Sequence, residues 1–157
     1  MRPAEELRYL ILAAQREGNR LLAQALRPLG VTPSQAEVVR VLQQHGPLTL
    51  NGLGDLLVCE SGNSPSRLVD RMVTAGLVSR DVAAHDRRHV ELTLTEEGDR
   101  LGRRIVEIEE ELYATIDGAS AGRDVGEVLG FLRTFVAGLP AGQAVARRAE
   151  SFTRDPA

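Results

Sequence analysis

Between residues 3 and 26 the apolar positions step by three and four: Leu7, Leu10, Ile11 and Ala14, then Leu21, Leu22, Ala25 and Leu26. That spacing predicts one long helix with a wide apolar stripe, stopped by Pro28 and Gly30. "TPSQ" at 32–35 predicts a fresh start. Thr32 can cap, Pro33 suits the first helical position, and Gln35 completes a capping box. This second helix carries Ala36, Val38, Val39, Val41 and Leu42 and ends at Gly46-Pro47. Over 48–57, "LTLNGLGDLL" sets Leu50, Leu53, Leu56 and Leu57 on one face behind a Thr49 cap. Gly52 and Gly54 weaken that third helix by roughly 1 kcal/mol each relative to Ala.

Residues 59–78, "CESGNSPSRLVDRMVTAGLV", read as a fourth helix with two unlike faces. Leu68, Met72 and Ala75 share one face, flanked by Val69 and Val73; Ser66, Arg67, Asp70, Arg71 and Thr74 lie on the other. Gly76 suits the C-terminal cap, with Leu77 as its apolar contact. Either Ser61 or Ser64 can cap the start, and Pro65 fits the first helical position behind Ser64. The period then changes to two. Residues 77–82 predict a short strand, and Val90, Leu92 and Leu94, alternating with Glu91, Thr93 and Thr95, predict a second. Ala83 to His89 form the hairpin tip, with Asp86-Arg87-Arg88-His89 as its polar end.

Thr95 caps a long helix that carries Leu101, Ile105, Ile108, Leu112 and Ile116, with Glu96 and Glu97 in its first turn. "DGASAG" at 117–122 is expected to break it. A further helix carries Val125, Val128, Leu129, Leu132, Phe135 and Val136, and a short one follows Gly138 and Pro140 to about Glu150.

Composition narrows the class. A chain of 157 residues with 43% apolar content suits one packed domain, or one domain with extra helices that serve a partner. Aromatics are 3%, too few for a stacking platform on single-stranded nucleic acid. Cys59 is the only cysteine, so no intramolecular disulfide forms. No stretch of 18 apolar residues and no basic-then-apolar start occurs, so a soluble cytoplasmic protein without membrane contact is expected. Net charge is −3, and residues 49–95 hold five arginines against six acids. Binding to a polyanion would therefore depend on where the arginines sit and be sharply salt-sensitive.

The expected fold is mainly α with a small antiparallel β wing. A winged helix-turn-helix over 31–95 is flanked by long helices over 1–30 and 96–157. A helix-turn-helix delivers its second helix, here about 61–75, into a major groove of double-stranded DNA. That helix would bring Ser61, Asn63, Ser64, Ser66, Arg67 and Arg71, whose hydroxyls, amide and guanidiniums suit base edges and phosphates. The wing, 82–90, would reach the adjacent minor groove, whose negative potential attracts Arg87 and Arg88. Asp86 would pair with one of them or bond the tip's backbone amides, and so hold the wing's shape.

Residues 32–98 resemble the MarR family of bacterial regulators. The likeness rests on "LVDRMVTAGLV" at 68–78 and on the D-x-R of Asp86 and Arg88 followed by "ELTLTEEG" at 91–98. With the flanking helices it covers most of the chain. "CESGNSPS" departs from the family's commoner S-x-S-T-V-T run, so Ser61, Asn63, Ser64 and Ser66 are assigned as a group. The resemblance implies a homodimer whose N-terminal and last two helices intertwine with the partner's. Each protomer then presents one winged helix to a pseudo-palindromic operator. It also implies small aromatic or anionic effectors bound between the dimerisation region and the winged helix; no residue here names one. Independently, the apolar stripes on 3–26 and beyond 96 need burial, and a two-fold partner supplies it. The paired recognition helices would then lie about 34 Å apart.

Plainer readings compete. Arg67 and Arg71 can belong to a solvated face, pairing with Asp70 or Thr74. Asp86, Arg87 and Arg88 can be a charged tip that guards a sheet edge. Cys59 reads better as a small buried apolar residue than as a redox sensor. The sensing cysteine of peroxide-responsive relatives lies near the N-terminal helix, where this chain has none. His45, His85 and His89 with Asp86 make a poor metal set on an exposed tip, so no metal or cofactor is expected. No phosphate loop, nucleophile elbow or H-E-x-x-H occurs, which leaves no basis for an enzyme. The expected function is a ligand-responsive transcriptional repressor. The alternatives are a winged-helix protein–protein interaction module and a redox-responsive regulator acting through Cys59.

Overall fold

A computed structural model describes residues 1–59, 64–82 and 90–152. The chain opens with α1 (Pro3–Leu26), closed by a single 3-10 turn over Arg27–Leu29. α2 (Pro33–His45) starts on the expected capping box: the Thr32 hydroxyl accepts from the Gln35 amide at 3.3 Å, and the Gln35 side chain accepts from the Thr32 amide at 2.9 Å. α3 (Leu50–Gly54) is shorter than its apolar pattern, which runs to Leu57. Thr49 caps it as expected, through the Gly52 amide at 3.1 Å. Two glycines in five residues leave it little intrinsic stability. The amides just beyond it, at Val58 and Cys59, donate to a side chain of α2 and not to helical carbonyls.

α4 (Pro65–Thr74) leads into an antiparallel pair, β1 (Val78–Val82) and β2 (Val90–Leu94), in register from Val78 opposite Leu94 to Val82 opposite Val90. Leu48 adds a third, one-residue strand that the sequence did not suggest. Its amide donates to the Leu92 carbonyl at 3.2 Å, and the Leu92 amide returns a bond of 2.7 Å.

α5 (Glu96–Ser120) begins on a Thr95 cap. It runs through residues 117–120, where a break was expected, and ends before Gly122. The Ser120 hydroxyl bonds back to the carbonyls of Ile116 and Asp117, and an exposed glycine such as Gly118 costs a helix only about 1 kcal/mol. α6 (Val125–Val136), capped by Asp124, and α7 (Pro140–Phe152) complete the chain.

The core lies where α2, α3, α4 and β2 meet the first half of α5. Leu26, Val38, Val39, Leu53, Val69, Met72, Leu92 and Ile105 are fully enclosed there. Gly98 is required by this packing: a Cβ on it would lie 2.1 Å from the Leu77 carbonyl oxygen. A polar seam joins α2 to α5, with Arg40 bonded to Glu109 at 2.9 Å and to Gln43 at 2.8 Å, and Gln43 bonded to Asp99 at 3.2 Å. Among the described residues no helix is long and apolar enough to cross a membrane.

Candidate nucleic-acid interface

α4 is the most sharply two-faced element. Leu68, Val69 and Met72 turn into the core, while Ser64, Arg67, Asp70, Arg71 and Thr74 stand exposed and Ser66 is half-buried. Of the two candidate caps, Ser64 performs the role: its hydroxyl accepts from the Arg67 amide at 3.5 Å, with Pro65 at the first helical position. The helix therefore covers Pro65–Thr74, the later part of the expected 61–75. At the other end Gly76 takes φ +72°. Its amide donates to the Val73 carbonyl and the Leu77 amide to Met72, each at 3.0 Å, which satisfies the last carbonyls and turns the chain into β1. The Thr95 hydroxyl donates to the Gly76 carbonyl at 2.6 Å and accepts from the Gly98 amide at 3.0 Å. One side chain thus ties the end of α4 to the start of α5.

Asp70 pairs with Arg80 of β1 at 2.5 Å. The pair is half-exposed and adds little stability, but it bridges α4 to the hairpin. It also takes up the one acid on this face of α4, so Asp70 does not pair with Arg67 or Arg71 as a solvated face would require. The Thr74 hydroxyl bonds back to the Asp70 carbonyl at 2.9 Å, and the Arg71 Nε donates to the Arg67 carbonyl at 3.4 Å. Among the described residues neither guanidinium makes an ion pair. The hairpin base is cross-linked: the hydroxyls of Ser79 and Thr93 are 2.6 Å apart, and both reach the Asp81 carboxylate. Ser61, Asn63, Asp86, Arg87 and Arg88, with His85 and His89, lie outside the described residues.

Behind the head of α4 is a buried charge. Glu37 of α2 is 8% exposed. Its carboxylate accepts from the amides of Val58 and Cys59, each at 2.8 Å, and from Arg148 of α7 at 2.6 Å. Arg148 donates from Nε to the Leu56 carbonyl at 2.8 Å, and Arg147 to the Asp55 carbonyl at 3.1 Å. The connection from α3 toward α4 is therefore held from both sides.

Residues 31–98 match the family model of the winged helix DNA-binding domain. The chain is 31% identical to the organic hydroperoxide resistance transcriptional regulator of Bacillus subtilis (strain 168) over 108 residues, 69% of this chain and 73% of that one. It superposes on apo MarR from E. coli with a TM-score of 0.64 and 26% identity, covering 83% of this chain and 96% of that one. The chain belongs to the MarR family. A mutant of MarR from E. coli complexed with operator DNA has the same fold, with a TM-score of 0.73 at 24% identity over 83% of this chain and 94% of that one.

This MarR-family protein is accordingly a DNA-binding transcriptional regulator and not an enzyme. Sequence reading found α4 and its caps but missed Glu37, Arg147 and Arg148. The available signal was a lone acid in the apolar run Ala36–Leu42. Cys59 sits against Glu37. Burial, then the Glu37 charge and a hydrogen bond to it, push its thiol up to about 11. A thiol shifted that way stays mostly protonated near neutral pH and is a poor nucleophile. His45 titrates below its ordinary value because burial, and then Arg148, disfavour its cation. Among the described residues no cluster of His, Cys, Asp and Glu could hold a metal ion.

Proposed function

We propose that the protein is a cytoplasmic homodimeric repressor. The winged helix, 31–95, reads DNA, and the helices of 1–30 and 96–157 form the dimer. α4 of each protomer enters a major groove of a pseudo-palindromic operator, and the wing, 82–90, enters the adjacent minor groove. Ser61, Asn63, Ser64, Ser66, Arg67 and Arg71 contact bases and phosphates. Arg87 and Arg88 fill the minor groove, with Asp86 shaping the wing. The observation that carries this reading is the α4 face itself. Its apolar side is locked in the core, its acid is engaged by Arg80, and the Arg67 and Arg71 side chains point outward.

Dimerisation is supported by apolar surface that one chain leaves bare. α6 has no buried residue, and Phe135, at 62% exposure, is among its barest side chains. Phe131 stacks on it with ring centroids 6.1 Å apart. Leu10 and Leu12 on α1 and Ile116 on α5 are exposed as well. Patches of that extent on a soluble chain mark an interface.

A small aromatic or anionic effector then relieves repression by favouring a spacing of the two α4 helices that fits DNA poorly. A cleft of about 400 Å³ between α7 and the α3–α4 head, lined by Asp55, Cys59, Pro65, Ala144 and Arg147, is a suitable volume for it. The Bacillus subtilis relative's name speaks of organic hydroperoxide resistance. A thiol-based response of that kind is not carried to this chain, because Cys59 stays protonated.

The test is a salt titration of binding to the DNA upstream of the protein's own coding region against random duplex, wild type beside Arg88→Glu. The expected result is tight, sequence-dependent binding that the substitution abolishes while sedimentation still shows a dimer. Equal weak binding to both duplexes, untouched by Arg88→Glu, would favour a protein–protein interaction module instead.

A further inference from the structure

The Glu37–Arg148 pair lies away from the exposed face of α4 and joins distant parts of the chain. The two residues are 111 positions apart, and they bring α2, the α3–α4 connection and α7 to one point. The Glu37 carboxylate takes both amides of Val58-Cys59, two donors that a helix of only five residues leaves without carbonyl partners. Arg148 uses two edges of its guanidinium at once, Nε on the Leu56 carbonyl and Nη2 on Glu37. Such a planar fork holds direction as well as distance, which an ammonium cannot do. The residues clamped are 56, 58 and 59, and α4 begins at Pro65.

A half-buried ion pair is a weak way to gain stability, since desolvation offsets most of the attraction. Its use is better sought in geometry. α4 is anchored along its length by Leu68, Val69 and Met72 and at its end by Gly76 and Thr95. On the side where the chain enters α4, this pair is a polar tether, joined by the Arg147 bond to the Asp55 carbonyl from the same helix. Its far end is α7, in the region proposed to carry the dimer.

We infer that Glu37 and Arg148 are positioning residues for DNA recognition: they clamp the segment leading into α4 to α7, so that the pose of the recognition helix depends on the placement of the C-terminal helix. The inference rests on the reading that α4 faces DNA. It adds a polar link by which a shift of α7 reaches residues 56–59, ahead of α4. A ligand seated in the cleft between α7 and Pro65 would act on the same link.

The experiment uses the full-length protein and a duplex that the wild type selects from a random-sequence pool, alongside an unselected duplex. Arg148→Ala is expected to lower affinity for the selected duplex about tenfold and leave affinity for the unselected duplex unchanged. Amide exchange of residues 55–59 should speed up in the same variant, and Arg148→Lys should fall between. Glu37→Gln, combined with Arg148→Ala, should lose less than the sum of the two single losses. A folding defect would lower both affinities together, and that result overturns the inference, as does an unchanged preference for the selected duplex. If Arg67→Ala weakens selected binding and Arg148→Ala does not, the reading of α4 stands and the clamp fails. If no sequence is selected, or Arg67→Ala has no effect, the reading of α4 itself fails.

Discussion

The winged helix and the helical arms solve the burial problem in opposite ways. Residues 31–98 bury their apolar faces within the chain, with Leu26 and Ile105 joining their core: α2 alone encloses five apolar side chains, and the polar face of α4 stands opposite a sealed one. α6 encloses none, and α1 encloses only Leu26, at its very end. Their sequences are no less apolar. The difference is that the first region finds its complement within the chain, while the second leaves apolar side chains bare, the surface on which the proposed dimer rests.

The comparison breaks first at the arms. Phe135→Asp on α6 places a charge where a partner should pack and is expected to raise the dimer dissociation constant roughly a hundredfold or more. Sedimentation velocity would show monomer while the winged helix stays folded by circular dichroism. A dimer that survives would mean that α6 packs elsewhere.

The winged helix breaks at its closest approach. Gly98→Ala drives a methyl into the Leu77 carbonyl and should cost about 2 kcal/mol or more, a drop in Tm of several degrees. Gly102→Ala meets only the end of the Gln43 side chain, which can swing aside. It should cost less, chiefly by disturbing the bonds of Gln43 to Arg40 and Asp99. Thermal melts of the two variants rank the contacts, and equal losses would contradict the account of Gly98.

Smaller still is the surface pair. Asp70→Asn should change stability by no more than about 1 kcal/mol. It should nevertheless weaken sequence-dependent binding, because Arg80 no longer fixes the hairpin against α4. Unchanged discrimination between duplexes would show that the core alone sets that angle.

Least visible at neutral pH is Cys59. Its alkylation rate should be very low at pH 7 and climb about tenfold per pH unit toward about 11. Glu37→Gln removes a charge that opposes the thiolate and should speed the reaction at a fixed pH. A rate that levels off near pH 8 would revive Cys59 as a sensor. His45 works in the acid range. Its cation is disfavoured in the folded state, so its contribution to stability is present above 6.5 and is lost as pH falls through its lowered folded value.

Much of this was legible because it is local. The Thr32–Gln35 capping box, the Thr49 and Thr95 caps and the Gly76 turn each depend on a few neighbouring residues, and each formed as the sequence indicates. The two faces of α4 follow from spacing alone. Most of the misses are settled by distant parts of the chain. Leu48 becomes a strand residue only because Leu92 lies beside it. The short α3 is tolerated because Glu37 receives the amides that follow it, and the buried Glu37 is matched by those amides and by Arg148, which returns to meet it. Gly118 stops nothing, since the helix around it holds without a partner for that position. No local pattern encodes a pairing across 111 residues, though the lone acid among the valines of α2 marked one end of it.

The most direct test of the central claim, that the exposed face of α4 reads DNA, is a salt titration of wild type and the Arg67→Ala/Arg71→Ala double variant. Both are measured on a duplex selected by the wild type and on random duplex. The account predicts that the wild type prefers the selected duplex strongly, with affinity falling steeply as salt rises. The double variant should lose most of that preference, roughly 1–3 kcal/mol per arginine that reads a base, or a shallower salt slope for each that holds a phosphate. A double variant with the same preference and the same slope as the wild type would contradict it.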